Sequence, residues 1–392
     1  MKNDKLKHLT DIQIQKLMDR YYNNEKTSDL IKEYNIDVNS SRLYTLFSPL
    51  ICEDKICPNC NIPLVIDRQS RSSSSYSFNN KAAYCPKCNH KDSPSCNCPS
   101  CSEKKRIKKI KKDEEQRQKI IRKRELINVH YSLDCKRIKI EELSFRDKVY
   151  LGALLRLCLS EDLLTIFSTD SMDNELAPTN DLKREIITTL SHKKIIIVNP
   201  NSPIEAFPES DEDPFPEVYY IYYVNYFLNI YFSNDTNREE IINNLINPPE
   251  FIKSNSEEAF EIWRDIALAE CLEYLKFQMD SVRFDFNPGK KTIAVFNDLL
   301  DDFSVSQIYG IIYKSIANAT KFYQESDISR KQAANSVIGG CQRYAEKALI
   351  NNWDLTKYHR VKDYPQTIIS EFFFNRIVKI GTLGFDMPPT IL

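Results

Sequence analysis

Glycine is scarce in this chain: there are seven in 392 residues, and none before Gly152. A P-loop or a GxGxxG dinucleotide turn needs glycine where backbone amides approach phosphate, so neither is expected in the first third. Long apolar runs are lacking too. No stretch of about 18 apolar residues occurs, which argues against a membrane-spanning helix. The opening residues, MKNDKLKHLTDIQ, have no apolar signal-peptide core. A cytoplasmic protein is therefore expected, in a compartment that keeps thiols reduced. Patterns such as HExxH, GxSxG and SxxK are also missing, and a non-enzymatic role is the favoured reading.

Cysteine is plentiful by contrast. Eight of the twelve cysteines fall between Cys52 and Cys101. Cys57 and Cys60 form one CPxC step, and Cys85 and Cys88 form a second. Each CxxC turn brings two thiolates to one tetrahedral metal, so these four make a complete zinc shell. Asn61 and Asn89 follow the second cysteine of each step. Asparagine tolerates the left-handed backbone such a knuckle needs better than other non-glycine residues do. His90, Cys96, Cys98 and Cys101 supply a second shell of three thiolates and one imidazole. Cys52 is an alternative to His90 in that shell, or a core residue. Two Zn2+ ions are thus expected.

Charge is unevenly spread. Residues 1–150 hold 31 Lys+Arg against 20 Asp+Glu, and the remainder 23 against 35. A basic, metal-bearing first part beside an acidic second part points to a polyanionic partner, with nucleic acid (DNA in particular) as the expected one. The stretch SEKKRIKKIKKDEEQRQKIIRKRELINVHY, from Ser102 to Tyr131, has no proline or glycine and reads as one long basic helix. Lys104, Lys105, Lys108, Lys109 and Lys112 lie in it as candidate phosphate contacts. Arg68 and Arg71, in the serine-rich insert between the CPxC steps, are further candidates.

Ahead of the cysteines, Thr10 and Gln13 fit a capping box, followed by Ile14, Leu17, Met18 and Tyr21 on one helical face. Two further short helical segments, TSDLIKEYNI and DVNSSRLYTLF, follow. This pattern resembles the helix-turn-helix of transposase-like and resolvase-like DNA-binding modules. The resemblance implies that Arg42, in the third segment, faces DNA. Residues 51–102 resemble a zinc ribbon. Further on, a helix beginning after Ser144, a capped helix from about Asn180, and a strand at Ile195–Val198 resemble a winged-helix unit. The acidic stretch EAFPESDEDPFPE after it would repel DNA and favours an interaction role there. Arg124 and His130 share the R-x5-H spacing of HEPN ribonucleases; the plainer reading of His130 is a helix-end residue.

The expected class is mainly α with small β, in several domains: a helix-turn-helix-like part (1–50), a zinc module (51–102), a basic helix (103–142), a winged-helix-like part (143–235) and an α-helical C-terminal part (236–392). The expected function is a zinc-containing DNA-binding protein, acting as a regulator, a mobile-element component or an antiviral-defence component. Its acidic part would dimerise or recruit a protein partner, and no membrane is involved. One alternative is a nuclease with its site in the C-terminal helices, for which His359, Arg360 and Asp363 are the candidate catalytic residues. Another is a zinc-stabilised interaction scaffold.

Overall fold

The computed structural model describes residues 3–72, 82–131, 135–209, 218–248 and 255–392. It is mainly helical with small sheets, and it divides into two compact units, residues 1–119 and 120–392.

In the first unit, helix α1 (Asp11–Tyr22) starts at the expected capping box. The Thr10 side chain accepts from the Gln13 amide, and the Gln13 side chain caps the Thr10 amide in return. Helix α2 (Thr27–Glu33) packs against it, and Leu17, Tyr21, Leu30, Leu43 and Phe47 close a small core. The third helical segment differs from expectation. It is a 3-10 helix, Ser40–Leu46, rather than an α-helix. Asn39 caps it, with its side chain accepting from the Ser41 amide. In a 3-10 helix side chains at i and i+3 eclipse one another, so it presents a narrower, differently spaced face than an α-helix does.

Strands β1 (Leu50–Ile56) and β2 (Pro63–Ile66) pair antiparallel and frame the cysteine region. Tyr84 extends this ribbon through bridges to Val65 and to Lys91. Helix α3 then runs from Pro99 to His130, about 48 Å at the usual rise. The boundary between the units falls inside it. Ile127 near its end is buried in the core of the second unit, so residues 103–142 are not a free-standing segment.

The second unit is organised around helix α4 (Phe145–Cys158), whose capping residue is Ser144 as expected. Strand β3 (Thr165–Ile166), helix α5 (Asn180–His192), strand β4 (Ile196–Val198) and strand β5 (Tyr226–Leu228) follow. The sheet is antiparallel in the order β3-β5-β4, so the last strand inserts between the first two. The tyrosine-rich run from 218 to 232 supplies that middle strand. Val224, Tyr226, Leu228 and Ile230 are buried, whereas Tyr220, Tyr223 and Tyr231 stay half-exposed. The acidic residues 210–217 lie outside the described residues.

Helices α6 (Asp235–Ile246), α7 (Ser256–Ser281), α8 (Lys290–Asp302), α9 (Val305–Glu325) and α10 (Arg330–Ile350) complete the unit. They are joined by α11 (Ile368–Glu371), which continues as a π-helix over Phe372–Ile377, and by α12 (Leu383–Asp386). One continuous core runs from Ile127 and Leu151 through Trp263 to Phe385. The regions 143–235 and 236–392, separable by sequence pattern, therefore share a single interior.

Gly152 shows how tightly that interior is drawn. A Cβ there would lie 2.5 Å from the Leu245 carbonyl oxygen and 2.6 Å from the Phe372 ring. Gly152→Ala is therefore expected to cost about 1–3 kcal/mol through overpacking. It should appear in urea unfolding as a lower midpoint at unchanged slope.

Candidate metal centre

The two CPxC turns repeat one backbone design. In the first, the Cys57 amide donates to Ile62 O (2.8 Å) and the Asn61 amide donates to Cys57 O (3.0 Å). In the second, the Cys85 amide donates to His90 O (2.7 Å) and the Asn89 amide donates to Cys85 O (2.9 Å). Asn61 and Asn89 take φ of 54° and 56°, the left-handed conformation expected of both. The result is two knuckles that present Cys57, Cys60, Cys85 and Cys88 to one point. Their sulfurs lie within 4.8 Å of one another, and Cys57 Sγ and Cys88 Sγ are 3.6 Å apart.

The second cluster holds His90, Cys96, Cys98 and Cys101 within the same limit. The Nδ1 atom of His90 is the ligand nitrogen, at 3.2 Å from Cys101 Sγ, 3.5 Å from Cys96 Sγ and 3.8 Å from Cys98 Sγ. Tetrahedral zinc with Zn–S of about 2.3 Å and Zn–N of about 2.0 Å requires ligand–ligand edges of roughly 3.6–3.8 Å. The measured edges surround that value. Both donor sets fit Zn2+ in number, type and spacing, and the chain is built to hold two zinc ions. Cys52 lies on β1 opposite Leu64, packed with the apolar residues of the ribbon, and belongs to neither cluster.

The electrostatics of the thiols support a cation at each centre. In the second cluster the backbone amides of Cys98 and Lys91 draw the Cys96 thiol down to about 6. Burial, with Cys98 and Cys96 alongside, pushes Cys101 up to about 11. In the first cluster burial opposes ionisation of Cys85, but the amides of Cys88 and Lys87 outweigh it and bring that thiol to about 7. Hydrogen bonding to Cys88, then burial, raises Cys60 to about 12. Each cluster thus ionises one thiol readily, Cys85 or Cys96, and resists ionising another, Cys60 or Cys101. A central dication removes that resistance, because it deprotonates coordinating thiols outright.

The two centres are physically joined. His90 closes the second knuckle with its carbonyl and ligates the second centre with its ring. Asn59, inside the first CPxC turn, donates from Nδ2 to Cys98 Sγ at 3.8 Å. Ser100 Oγ in turn donates to Asn59 Oδ1 at 2.9 Å. Such outer contacts orient ligands and tune the metal they hold.

The basic residues singled out by sequence divide into two groups. Arg68 and Arg71 are half-buried and engaged by backbone carbonyls. Arg68 Nε donates to Ser48 O (2.8 Å), and Arg71 donates from one nitrogen to Tyr21 O (2.9 Å) and Glu25 O while stacking over the Tyr21 ring. Both tie the helical N-terminal part to the zinc module. Lys105 Nζ donates to Cys96 O at 2.8 Å and so braces the second centre. Arg124 donates from Nη1 to Pro200 O and Ser202 O, which ties the end of α3 to the 200–202 turn. Lys104, Lys108, Lys109 and Lys112 are exposed and make no ion pair among the described residues, and Arg42 is exposed on its 3-10 helix.

In the second unit, His359 and Arg360 line a cavity of about 190 Å³ with Gln366, Phe374 and Asp386, and Asp363 is not part of it. Arg360 donates to Glu270 Oε1 at 2.8 Å, and Ser370 Oγ donates to the same oxygen at 2.8 Å. Glu270 is 1% exposed. Removing Arg360 would strand that buried charge, so a structural role accounts for the pair. Glu270 carries no sequence signal beyond being an acid on a helix, and only the packing of α7 against the 352–370 segment reveals it. One turn on, burial pushes the Glu273 carboxyl up to about 8, with Glu270 adding to the effect.

Two outcomes test these centres. Metal analysis of purified protein should find about two zinc per chain. Cys85→Ser should lose the first ion and unfold the module, because structural zinc supplies roughly 10 kcal/mol or more to folding; Cys52→Ser should keep both ions. For Glu273, the folded state holds its proton to a higher pH than the unfolded chain does. Stability should therefore fall as pH rises from about 4.5 to about 8, and Glu273→Gln should flatten that slope in denaturant titrations.

Comparison with known proteins finds no matching family model, no matching curated protein and no matching solved structure.

Proposed function

We propose that this zinc protein binds nucleic acid, DNA in the first instance, through the basic face of α3. The observation that carries the reading is the state of its lysines. At 3.6 residues per turn, Lys104, Lys108, Lys111, Lys112 and Lys119 fall within about 100° of arc. All five are exposed, and none forms an ion pair among the described residues. Ile110 and Ile121 fall on the other side of the helix, and Ile107 at the edge of the lysine arc. A row of uncompensated ammonium groups on a rigid rod matches the regular charge of a phosphate backbone and gains affinity from counterion release.

The zinc centres serve this role structurally. Cys101 lies in the first turn of α3, and Lys105 is tied back to Cys96, so the metal cluster anchors the base of the rod. The N-terminal helices are attached to the same module by Arg68 and Arg71. Arg42 and the 3-10 helix then form a second, smaller contact of the helix-turn-helix kind.

In the second unit, the order α4, β3, α5, β4, β5 with β5 between β3 and β4 supports a winged-helix-like reading of residues 143–235. The exposed side of α5 there mixes Asp181, Arg184 and Glu185. Mixed charge suits a protein partner or self-association better than it suits phosphate. A regulator, a mobile-element component and a defence component would all use this division of labour.

Filter binding of duplex DNA and of RNA across a salt series tests the proposal. The wild-type chain should show a steep negative slope of log affinity against log salt. Lys104→Ala/Lys108→Ala/Lys112→Ala should lower affinity and reduce the magnitude of that slope by roughly 2–3 for duplex DNA. Lack of binding to either nucleic acid at low salt would overturn the reading.

A further inference from the structure

We infer that the second unit carries a separate binding site for a nucleotide, a planar base joined to a phosphate, between α9, α10 and the segment that follows α10. The site is a cavity of about 340 Å³ lined by Gln307 and Lys314 of α9, Tyr344 of α10, and Trp353, Asp354 and Tyr358 of that segment. Its volume falls within the range of small-ligand pockets.

Three observations give the ligand its chemistry. The aromatic rings of Tyr344, Trp353 and Tyr358 line the cavity. Tyr344 and Trp353 pair at 5.6 Å, and Tyr358 pairs with Tyr313 at 5.7 Å. Trp353 is 45% exposed, so much of its ring is left uncovered at the cavity; Tyr313, outside the lining but against Tyr358, is 48% exposed. A planar base covers such faces by stacking, whichever base it is. Second, Lys314 projects its ammonium group over the Tyr344 ring, 5.4 Å from its centre, and has no carboxylate partner among the described residues. It is placed to meet an anion at the edge of a stacked ring. Third, the surrounding charge favours an anion even though the second unit as a whole is acidic. Helices α9 and α10 hold six basic residues, Lys314, Lys321, Arg330, Lys331, Arg343 and Lys347, against two acidic ones, Glu325 and Glu346. Asp354 is the one carboxylate on the cavity wall, and with Gln307 it offers acceptors for the amino or hydroxyl groups of a nucleotide.

The backbone holds this site open. Gly310 lets the segment lie close on α9: a Cβ there would be 3.1 Å from both Thr356 O and the Tyr358 ring. The Tyr358 amide donates to Ser306 O at 2.9 Å and fixes the segment beyond that point. The inference does not depend on the lysine face of α3, which lies in the first unit.

The chain contains its own probe. Trp263 is 1% exposed and its Nε1 donates to Gly384 O, so ligand-dependent changes in tryptophan emission report on Trp353. Full-length protein is titrated with AMP and CMP, and separately with a short single-stranded oligonucleotide. Saturable quenching by the mononucleotides supports a site for free nucleotides. Quenching by the oligonucleotide alone supports a site for a nucleotide within a strand. Lys314→Gln and Tyr344→Ala should each weaken binding roughly tenfold, in line with the loss of one phosphate contact or one stacking surface. Circular dichroism spectra should stay unchanged in both variants. The α3 triple-lysine variant should quench as wild type does with mononucleotides. Absence of quenching by every probe into the millimolar range, or affinity unchanged in both Lys314→Gln and Tyr344→Ala, overturns the inference.

Discussion

Coordination by clustered thiolates is the constraint on which the first unit depends. The apolar material available around the cysteines is slight. The core of the ribbon consists of Leu64, Ala83 and the sulfur-bearing residues themselves. So small a cluster cannot offset the entropy of ordering the chain around it. Metal–thiolate bonds take the place of a hydrophobic core, and binding free energy becomes folding free energy. His90 concentrates this dependence in a single residue, since its backbone closes one knuckle and its ring completes the neighbouring shell.

Rigidity made in this way has a use. The first two-thirds of α3 has only a thin apolar stripe, Ile107, Ile110 and Ile120, all half-exposed, and in isolation it would rely largely on propensity. Its first turn is instead clamped by a metal ligand, and its last turns are buried through Ile127. Between these ends Lys104, Lys108, Lys111, Lys112 and Lys119 are exposed and form no ion pair among the described residues. The stretch with the least packing is thus the one with the most charge to offer, and this links the zinc chemistry to the proposed contact with phosphate.

Basic residues proved the hardest to assign from sequence. Arg68, Arg71 and Arg124 looked like surface charge, yet each is engaged by backbone carbonyls of distant segments. Arg360 stood out in sequence, but its partner Glu270 did not. An arginine fork carries several donors at fixed angles, so a folded chain can use it to satisfy carbonyls at loop ends and junctions. Which arginines are used in this way depends on which loops meet, and that is a property of tertiary contacts.

The sequence alone determined the local chemistry: the two ligand sets by cysteine and histidine spacing, the left-handed asparagines after each CPxC step, the capping boxes at Thr10 and Ser144, and the long basic helix. These features depend on residues a few positions apart, whose geometry the backbone dictates. Tertiary structure decided the rest. It made the third N-terminal segment a 3-10 helix and excluded Cys52 from both shells. It merged residues 143–235 and 236–392 around one interior, and it gathered Lys314, Tyr344 and Trp353 at one cavity. Those outcomes depend on which distant surfaces exclude water from one another, and no spacing rule along the chain encodes that.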